Sequence, residues 1–481
     1  MSKKITRRDT LIGAASAGLV GALSTASRAD HPSSVDRSGP QTAAAAVPVS
    51  DPRAWSNPAL IAHTQSARVL LNRERAREIM ERENLDGLIA TTPVNIYYLS
   101  SHRGPMQMMG RDFSTYAVFP RDEDAAPVLV IPGSMLYHLD YLPTWMPSIQ
   151  VYTWPAGGEN PDTGEPKASP FVSPWAMQIR EGDLRHGDRV LMALYAEYHD
   201  KTRSSALLAL KAAVEEAGLS RGNVGFDDPR VLPWLQDQGL KKLRGVDANN
   251  TFKEIRMVKT PNEIEILRQA AQRNEIALNY AIDQIEPGLP LLEIERAHAR
   301  KWGELDGHAR WLVTNVRGLN SGIIQRGDFM KLDSVGEYLG YLGDVGRSVS
   351  VGDPSDELAH RMETYQAAAA EVYAAIRPGM PFPESSRMFS DLLKQQGIER
   401  GPAGPHPVGL IHTDVPWPTG NEAQSFSQMD FNFEKNMVFT LDMPYHEIGW
   451  GTVHVEDMML VTDRGAIPLS SGDISLRVRP V

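Results

Sequence analysis

The sequence predicts a mixed α/β (α+β) protein with two folded regions: an N-terminal α/β domain over residues 61–250 and a second, internally repeated domain over 251–481. Three observations carry that reading. At 481 residues the chain is too long for one ordinary domain. Short apolar runs alternate with helix-patterned segments through the first half. In the second half the phrase I-x-P-G-x-P occurs twice, at Pro287-Gly288 and at Pro378-Gly379, 91 residues apart and each time after a helix-patterned stretch.

Residues 1–29 have a basic start (Lys3, Lys4, Arg7, Arg8), an apolar stretch of small residues from Leu11 to Leu23, and a small-residue exit at Ser24-Thr25-Ala26 or Ser27-Arg28-Ala29. This is the layout of a removable export signal. The paired arginines in TRRDTLIG resemble a twin-arginine signal, although Thr10 stands where that motif favours Phe. The expected destination is the periplasm. A retained membrane anchor is the competing reading, but the stretch is rich in Gly, Ala and Ser, and no other segment reads as a stable span. Residues 30–60, punctuated by Pro40, Pro48, Pro52 and Pro58, read as a linker.

Beyond the linker, Ala67–Glu83 has helical patterning, Leu85–Thr91 is an apolar strand, and a further apolar run covers Asn95–Leu99. Alternation continues with a strand near Val128, a helix over Ser204–Ala217 and a strand near Val224, closing near Asp247. The Pro- and Gly-rich stretch 152–174 reads as a surface insertion. The second domain opens at Thr260, which precedes Pro261 and Glu263 as a capped helix start. Each half of the repeat then leads into a short apolar strand ending on an acid, FMKLD at Asp333 and MVFTLD at Asp442. Two related halves facing each other bring those acids to a central seam. Chance recurrence of helix, Pro-Gly and strand is the plainer alternative.

Composition narrows the chemistry. With 49 Lys and Arg against 60 Asp and Glu, the net charge of -11 argues against a general nucleic-acid or anionic-membrane binder and fits cationic metals or small substrates better. The chain has no cysteine, so disulfides, thiolate zinc sites and cysteine nucleophiles are excluded, and a metal must be held by Asp, Glu and His. Asp344 follows Asp333 by eleven residues, the spacing of a hairpin whose glycines (Gly336, Gly340, Gly343) allow tight turning. Two carboxylates so close repel unless a cation lies between them. His406, Asp442 and Glu456 follow in or at the ends of apolar runs, where an unpaired charge is costly. Four carboxylates and one imidazole suit hard or borderline divalent ions.

From about Ile255 to Gly465 this ordered set resembles that of the pita-bread metallohydrolases, which include methionine aminopeptidase, prolidase, Xaa-Pro aminopeptidase, creatinase and a dimethylsulfoniopropionate lyase. The preceding region resembles the N-terminal domain of the creatinase–prolidase branch. The resemblance implies a pseudo-two-fold pita-bread domain holding two divalent ions (Mn, Co, Zn or Fe), with Asp333 as first ligand, Asp344 bridging, His406 on a single metal, Asp442 as fourth ligand and Glu456 bridging. It also implies a homodimer and an Xaa-Pro dipeptidase or aminopeptidase that uses a water activated between the metals. In that scheme Asp442 accepts the proton of the attacking water and His412 hydrogen-bonds the substrate oxygen.

This chain departs from the family pattern at several positions. Asp442 stands where most members carry Glu, Pro407 follows His406 where Gly is usual, and the stretch 313–328 lacks the His that peptidase members place upstream of the first Asp. His454, two residues before Glu456 and so on its strand face, stands where peptidase members more often carry Arg; it is a third candidate catalytic group. For His412 and His454 alike the plain alternative is a packed histidine satisfied by backbone. Tyr445, His446 and Trp450, read as a loop, can wall the pocket, whereas His298, His308 and His360 read as structural or surface residues. Two other functions stay open: a lyase or amidinohydrolase acting on a small zwitterion, and a binding protein that has lost its metals.

Overall fold

The computed structural model describes residues 52–61, 67–161, 163–170, 173–316, 318–417 and 431–481. The export-signal reading lies outside the described residues, as does the linker up to residue 51; its described end carries a 3-10 turn at Pro52–Trp55 and a short helix at Pro58–Ile61. Among the described residues no helix is long and apolar enough to cross a membrane.

The first half is built on a seven-stranded mixed sheet in the order Thr202–Arg203, Ser148–Tyr152, Val128–Pro132, Tyr116–Pro120, Gly87–Ala90, Gly222–Phe226, Leu243–Asp247. The middle strands are buried along their length, as their continuous apolar runs require. Two helices differ from expectation. The first starts at Arg73 rather than near Ala67, because the Asn72 side chain accepts the backbone N–H of Arg75 at 3.3 Å and caps the helix there. The apolar run Asn95–Leu99 is helical, within Pro93–Ser100, with Pro93 preset for the first turn. Pro155–Glu159 and Pro166–Ala168 pair as an exposed antiparallel ribbon within the stretch read as an insertion.

The second half opens with the helix Pro261–Asp283, started by a reciprocal capping box between Thr260 and Glu263. The repeat is a helix, a Pro-Gly turn and a second helix: Pro261–Asp283 with Leu291–Glu304, then Asp356–Ala375 with Phe382–Gln395. Gly288 and Gly379 occupy matching left-handed conformations, at φ of 95° and 91°. The strands form one sheet ordered His308–Val316, Phe329–Tyr338, Tyr341–Val351, Arg477–Arg479, and another built on Gly404–Pro407, Val438–Glu447, Met458–Thr462 and Gly465–Pro468. Gly451–Val455 pairs with Val438–Glu447. A reciprocal pair of backbone hydrogen bonds between Gly346 and Glu456, 3.1 and 3.2 Å long, stitches the Tyr341–Val351 strand to the chain just past Gly451–Val455.

The acids do not end their strands, contrary to the sequence reading. Asp333 lies inside Phe329–Tyr338 and Asp442 inside Val438–Glu447, because the polar and Gly-bearing residues that follow still find partners in the ladder. For the same reason Tyr445 and His446 belong to a strand rather than a loop.

Candidate metal centre

The ladder between Phe329–Tyr338 and Tyr341–Val351 pairs Asp333 with Gly346 and Asp344 with Val335. Asp344 is two residues from Gly346, so both acids emerge on one face of the ribbon. The helix Pro261–Asp283 holds the ribbon from behind: Asn274 donates to the carbonyls of Ser334 and Gly343 at 2.6 and 3.0 Å. On the other sheet Gly404–Pro407 pairs with Val438–Glu447 and sets His406 opposite Thr440, two residues before Asp442.

All five residues expected as metal ligands converge, and His412 and His454 join them. Three overlapping triads, Asp344/His406/His412, Asp442/His454/Glu456 and Asp333/Asp344/Glu456, each bring their donor atoms within 4.8 Å of one another. His406 Nε2 stands 3.9 Å from both Asp344 and Glu456. Its Nδ1–H donates to the carbonyl of His412 at 3.1 Å, which makes Nε2 the acceptor nitrogen; it takes the Thr440 hydroxyl at 2.9 Å, a hydrogen bond that a metal ion on Nε2 would displace. A histidine that ligates a metal through one nitrogen is commonly anchored this way through the other. His412 Nε2 lies 3.1 Å from Asp344, and its ring packs between His406 and Trp311, with centroids 4.7 and 5.1 Å away. Its side chain is 36% exposed, so it faces the open side of the site.

The donors fit a metal on their own chemistry. Both carboxylate oxygens of Asp344, Oδ1 of Asp442 and both ring nitrogens of His454 are buried without a hydrogen-bond partner. Such orphaned groups are rare unless something else occupies their lone pairs. Burial, reinforced by the Asp344 and Asp442 carboxylates, drives the Glu456 carboxyl well above the ordinary range. Burial also pushes Asp442 up, but the adjoining His454 outweighs it and brings its pKa down to about 2. At His454 burial opposes the charged ring, yet Asp442 and Glu456 prevail and hold it up at about 10. Crowded anions that lift one another or recruit a neighbouring imidazole are what a cation relieves.

Several residues that shape the site escaped the sequence reading. Thr440 holds His406; its signal was the two-residue period of the strand that also carries Asp442. Lys331, on the same face as Asp333, sits 3.7 Å from it. Arg347 bonds the Glu456 carbonyl at 2.7 Å and Asp457 at 2.9 Å, fixing the backbone at Glu456; no local signal announced this long-range pairing. Of the histidines set aside, His298 is buried against Ser334 and Asn274, as a structural residue should be.

A cluster of carboxylates and histidines that could hold metal, set where two halves of a repeated α/β fold meet, is the arrangement of a pita-bread domain. Comparison with known proteins agrees. The sequence profile of metallopeptidase family M24 matches residues 265–463, and that of the creatinase/prolidase N-terminal domain matches 72–161. An Xaa-Pro dipeptidase of Pyrococcus furiosus is 26% identical over 266 residues, 51% of this chain and 72% of that protein. An uncharacterized peptidase, YqhT, of Bacillus subtilis is 26% identical over 234 residues, spanning 46% of this chain and 64% of its own length. Among solved structures, an Xaa-Pro dipeptidase from Bacillus anthracis superposes with a TM-score of 0.61 at 17% identity, covering 85% of this chain and 99% of that one. A prolidase from Pyrococcus furiosus gives 0.56 at 18%, covering 82% and 99%. At such identities the structures speak to the fold. Residues 265–463 thus match metallopeptidase family M24 and residues 72–161 the creatinase/prolidase N-terminal domain, the pairing of the creatinase–prolidase branch.

Proposed function

We propose that this protein is a dinuclear-metal peptidase of the Xaa-Pro type, cleaving a dipeptide or a short peptide. The observation that carries the proposal is the convergence of Asp333, Asp344, His406, Asp442 and Glu456 with buried carboxylate oxygens left unpaired. Similarity to the Xaa-Pro dipeptidase of Pyrococcus furiosus supports the substrate class.

Asp344 and Glu456 each fall in two of the three triads, which suits them to be shared if two ions bind. Asp333, His406 and Asp442 complete the set. A pair of divalent ions supplies Lewis acidity toward a carbonyl and makes water a nucleophile near neutral pH. Asp442, held ionised beside His454 and partly open to solvent, is placed to take the proton of the attacking water. His412, on the open side, is placed to donate a hydrogen bond to the substrate oxygen where charge develops. The Nδ1–H bond of His406 to the His412 carbonyl ties the two histidines together, so the ligand and the substrate-facing ring keep one spacing.

The test is a panel of Xaa-Pro dipeptides and peptides offered to the purified protein with Mn(II) or Co(II). Cleavage that EDTA abolishes, with solvent oxygen entering the product, is expected. An uncut panel would overturn the reading. The stretch 313–328, which lacks histidine, favours a second reading, a lyase or amidinohydrolase acting on a small zwitterion; an alkene product free of solvent oxygen, or urea release, would identify it. The proposal extends to export by the twin-arginine route and to a homodimer. A reporter fusion still exported after Arg7→Lys and Arg8→Lys, or a monomeric mass by light scattering, would remove those parts.

A further inference from the structure

We propose that His454 is itself a metal ligand, so that one of the two ions is held by His454, Asp442 and Glu456 and the centre uses a second imidazole beside His406. The inference deepens the two-ion reading above and rests on it.

His454 Nε2 lies 2.8 Å from Asp442 Oδ1 and 3.3 Å from Glu456 Oε2. Despite that closeness, neither ring nitrogen of His454 nor Asp442 Oδ1 has a hydrogen-bond partner. Both contacts are made by one nitrogen to two carboxylates, the place a shared cation would occupy. Donors bonded at about 2.1 Å to one ion in neighbouring positions stand roughly 3 Å apart, which is the spacing seen. A histidine that served only to fill space would keep at least one nitrogen on a protein partner, since buried polar atoms rarely go without. His454 is completely buried, its Nδ1 has no partner, and its Nε2 meets only the two candidate ligand carboxylates.

The surroundings hold the ring in place. The backbone N–H of His454 donates to Ser348 Oγ at 2.8 Å, and that hydroxyl donates back to the His454 carbonyl at 2.9 Å. Across from the ring, Gly346 leaves the room it needs: a Cβ at that position would come within 2.8 Å of His454 Cδ2 and Nε2 and 2.9 Å of Glu456 Cβ. Residue 346 is the one that pairs with Asp333 in the ladder and bonds the Glu456 backbone. The same side-chain-free position therefore brings the two sheets together and admits the imidazole.

The test counts and locates ions rather than following turnover. Wild-type protein, stripped with chelator and titrated with Mn(II) by calorimetry, is expected to take up two ions, while His454→Gln and His454→Arg bind one of the two about 100-fold more weakly. A crystal of the Mn-loaded wild type, read by anomalous scattering, is expected to place an ion within bonding distance of His454 Nε2; this measurement stands even if the variants fail to fold. Two ions bound as tightly by His454→Gln as by wild type, or an ion lying beyond 3 Å from Nε2, would overturn the inference while leaving the two-ion reading intact. Wild-type protein that takes up no metal would overturn both.

Discussion

Arg256 with Asp414, and His454 with Asp442, are both buried or partly buried pairs of opposite charge, yet their surroundings treat them differently. The Arg256 guanidinium grips Asp414 through Nε and Nη2 at 2.8–3.0 Å and meets Asn95 through Nη1. Lys259 donates to the Arg256 carbonyl at 2.5 Å, and Glu263 accepts Thr260 N–H at 2.8 Å and Tyr341 O–H at 3.0 Å. Each buried charge there is answered by protein. Around His454 the only answer to the ring is the pair of carboxylates of Asp442 and Glu456, and Nδ1 has no partner. The difference separates a joint from a binding site: a buried charge bonded on every side fixes chain segments to one another, and an imidazole that meets only two carboxylates can exchange its proton for a metal ion.

Removing a partner from each cluster is the sharpest way to test that contrast. Arg256→Ala leaves Asp414 buried and under-paired and should cost about 3 to 5 kcal/mol of unfolding free energy in urea. In chelator, Asp344→Asn, which removes a carboxylate with no hydrogen-bond partner, should leave stability unchanged or raise it. A comparable loss in both variants would erase the distinction. The metal provides the next largest effect. Mn(II) at about 100 times its dissociation constant should stabilise the wild type by roughly 2.7 kcal/mol for each ion, and the gain should shrink in Asp344→Asn; a melting temperature indifferent to metal would contradict the site.

A pH effect follows on the bonded side. Burial raises Glu263 from its ordinary 4.5 to about 7, Lys259 and the Thr260 N–H only partly offsetting it. In the unfolded chain this carboxyl ionises near pH 4.5, whereas in the folded chain it keeps its proton until about pH 7. The folded state therefore holds the extra proton, and stability from this group is full at low pH and falls as pH climbs from about 4.5 through 7, on the order of 2 to 3 kcal/mol in all. Glu263→Gln should flatten that part of the pH–stability curve relative to wild type; parallel curves would refute the assignment. The smallest effect is Ser348→Ala, which removes the two hydroxyl bonds to the His454 backbone and should cost about 1 kcal/mol in thermal unfolding.

How far the sequence reached depended on whether the signal was local. The capping box at Thr260 and Glu263, the paired Pro-Gly turns and the alternation of strands in the first half were all readable, because caps, turns and periodicity depend on neighbours a few residues away. Element ends were less so: Asp333 and Asp442 read as strand ends because the residues after them look polar and Gly-rich, and only the partner strand decides that the ladder continues. Asn72 shortened the first helix through a single side-chain bond that periodicity does not register.

The same division holds at the site. By itself the sequence determined the donor types, since a chain without cysteine leaves a metal only carboxylates and imidazoles, and it determined their order along the chain. Tertiary structure decided which donors share a face, that Thr440 and the His412 carbonyl orient His406, that Arg347 anchors the backbone at Glu456, and that His454 turns inward with no bond of its own. Apart from the six-residue step between His406 and His412, those contacts join residues 34 and 109 positions apart within about 3 Å, the reach of a hydrogen bond. Composition constrains which bonds are possible, and packing chooses which are made.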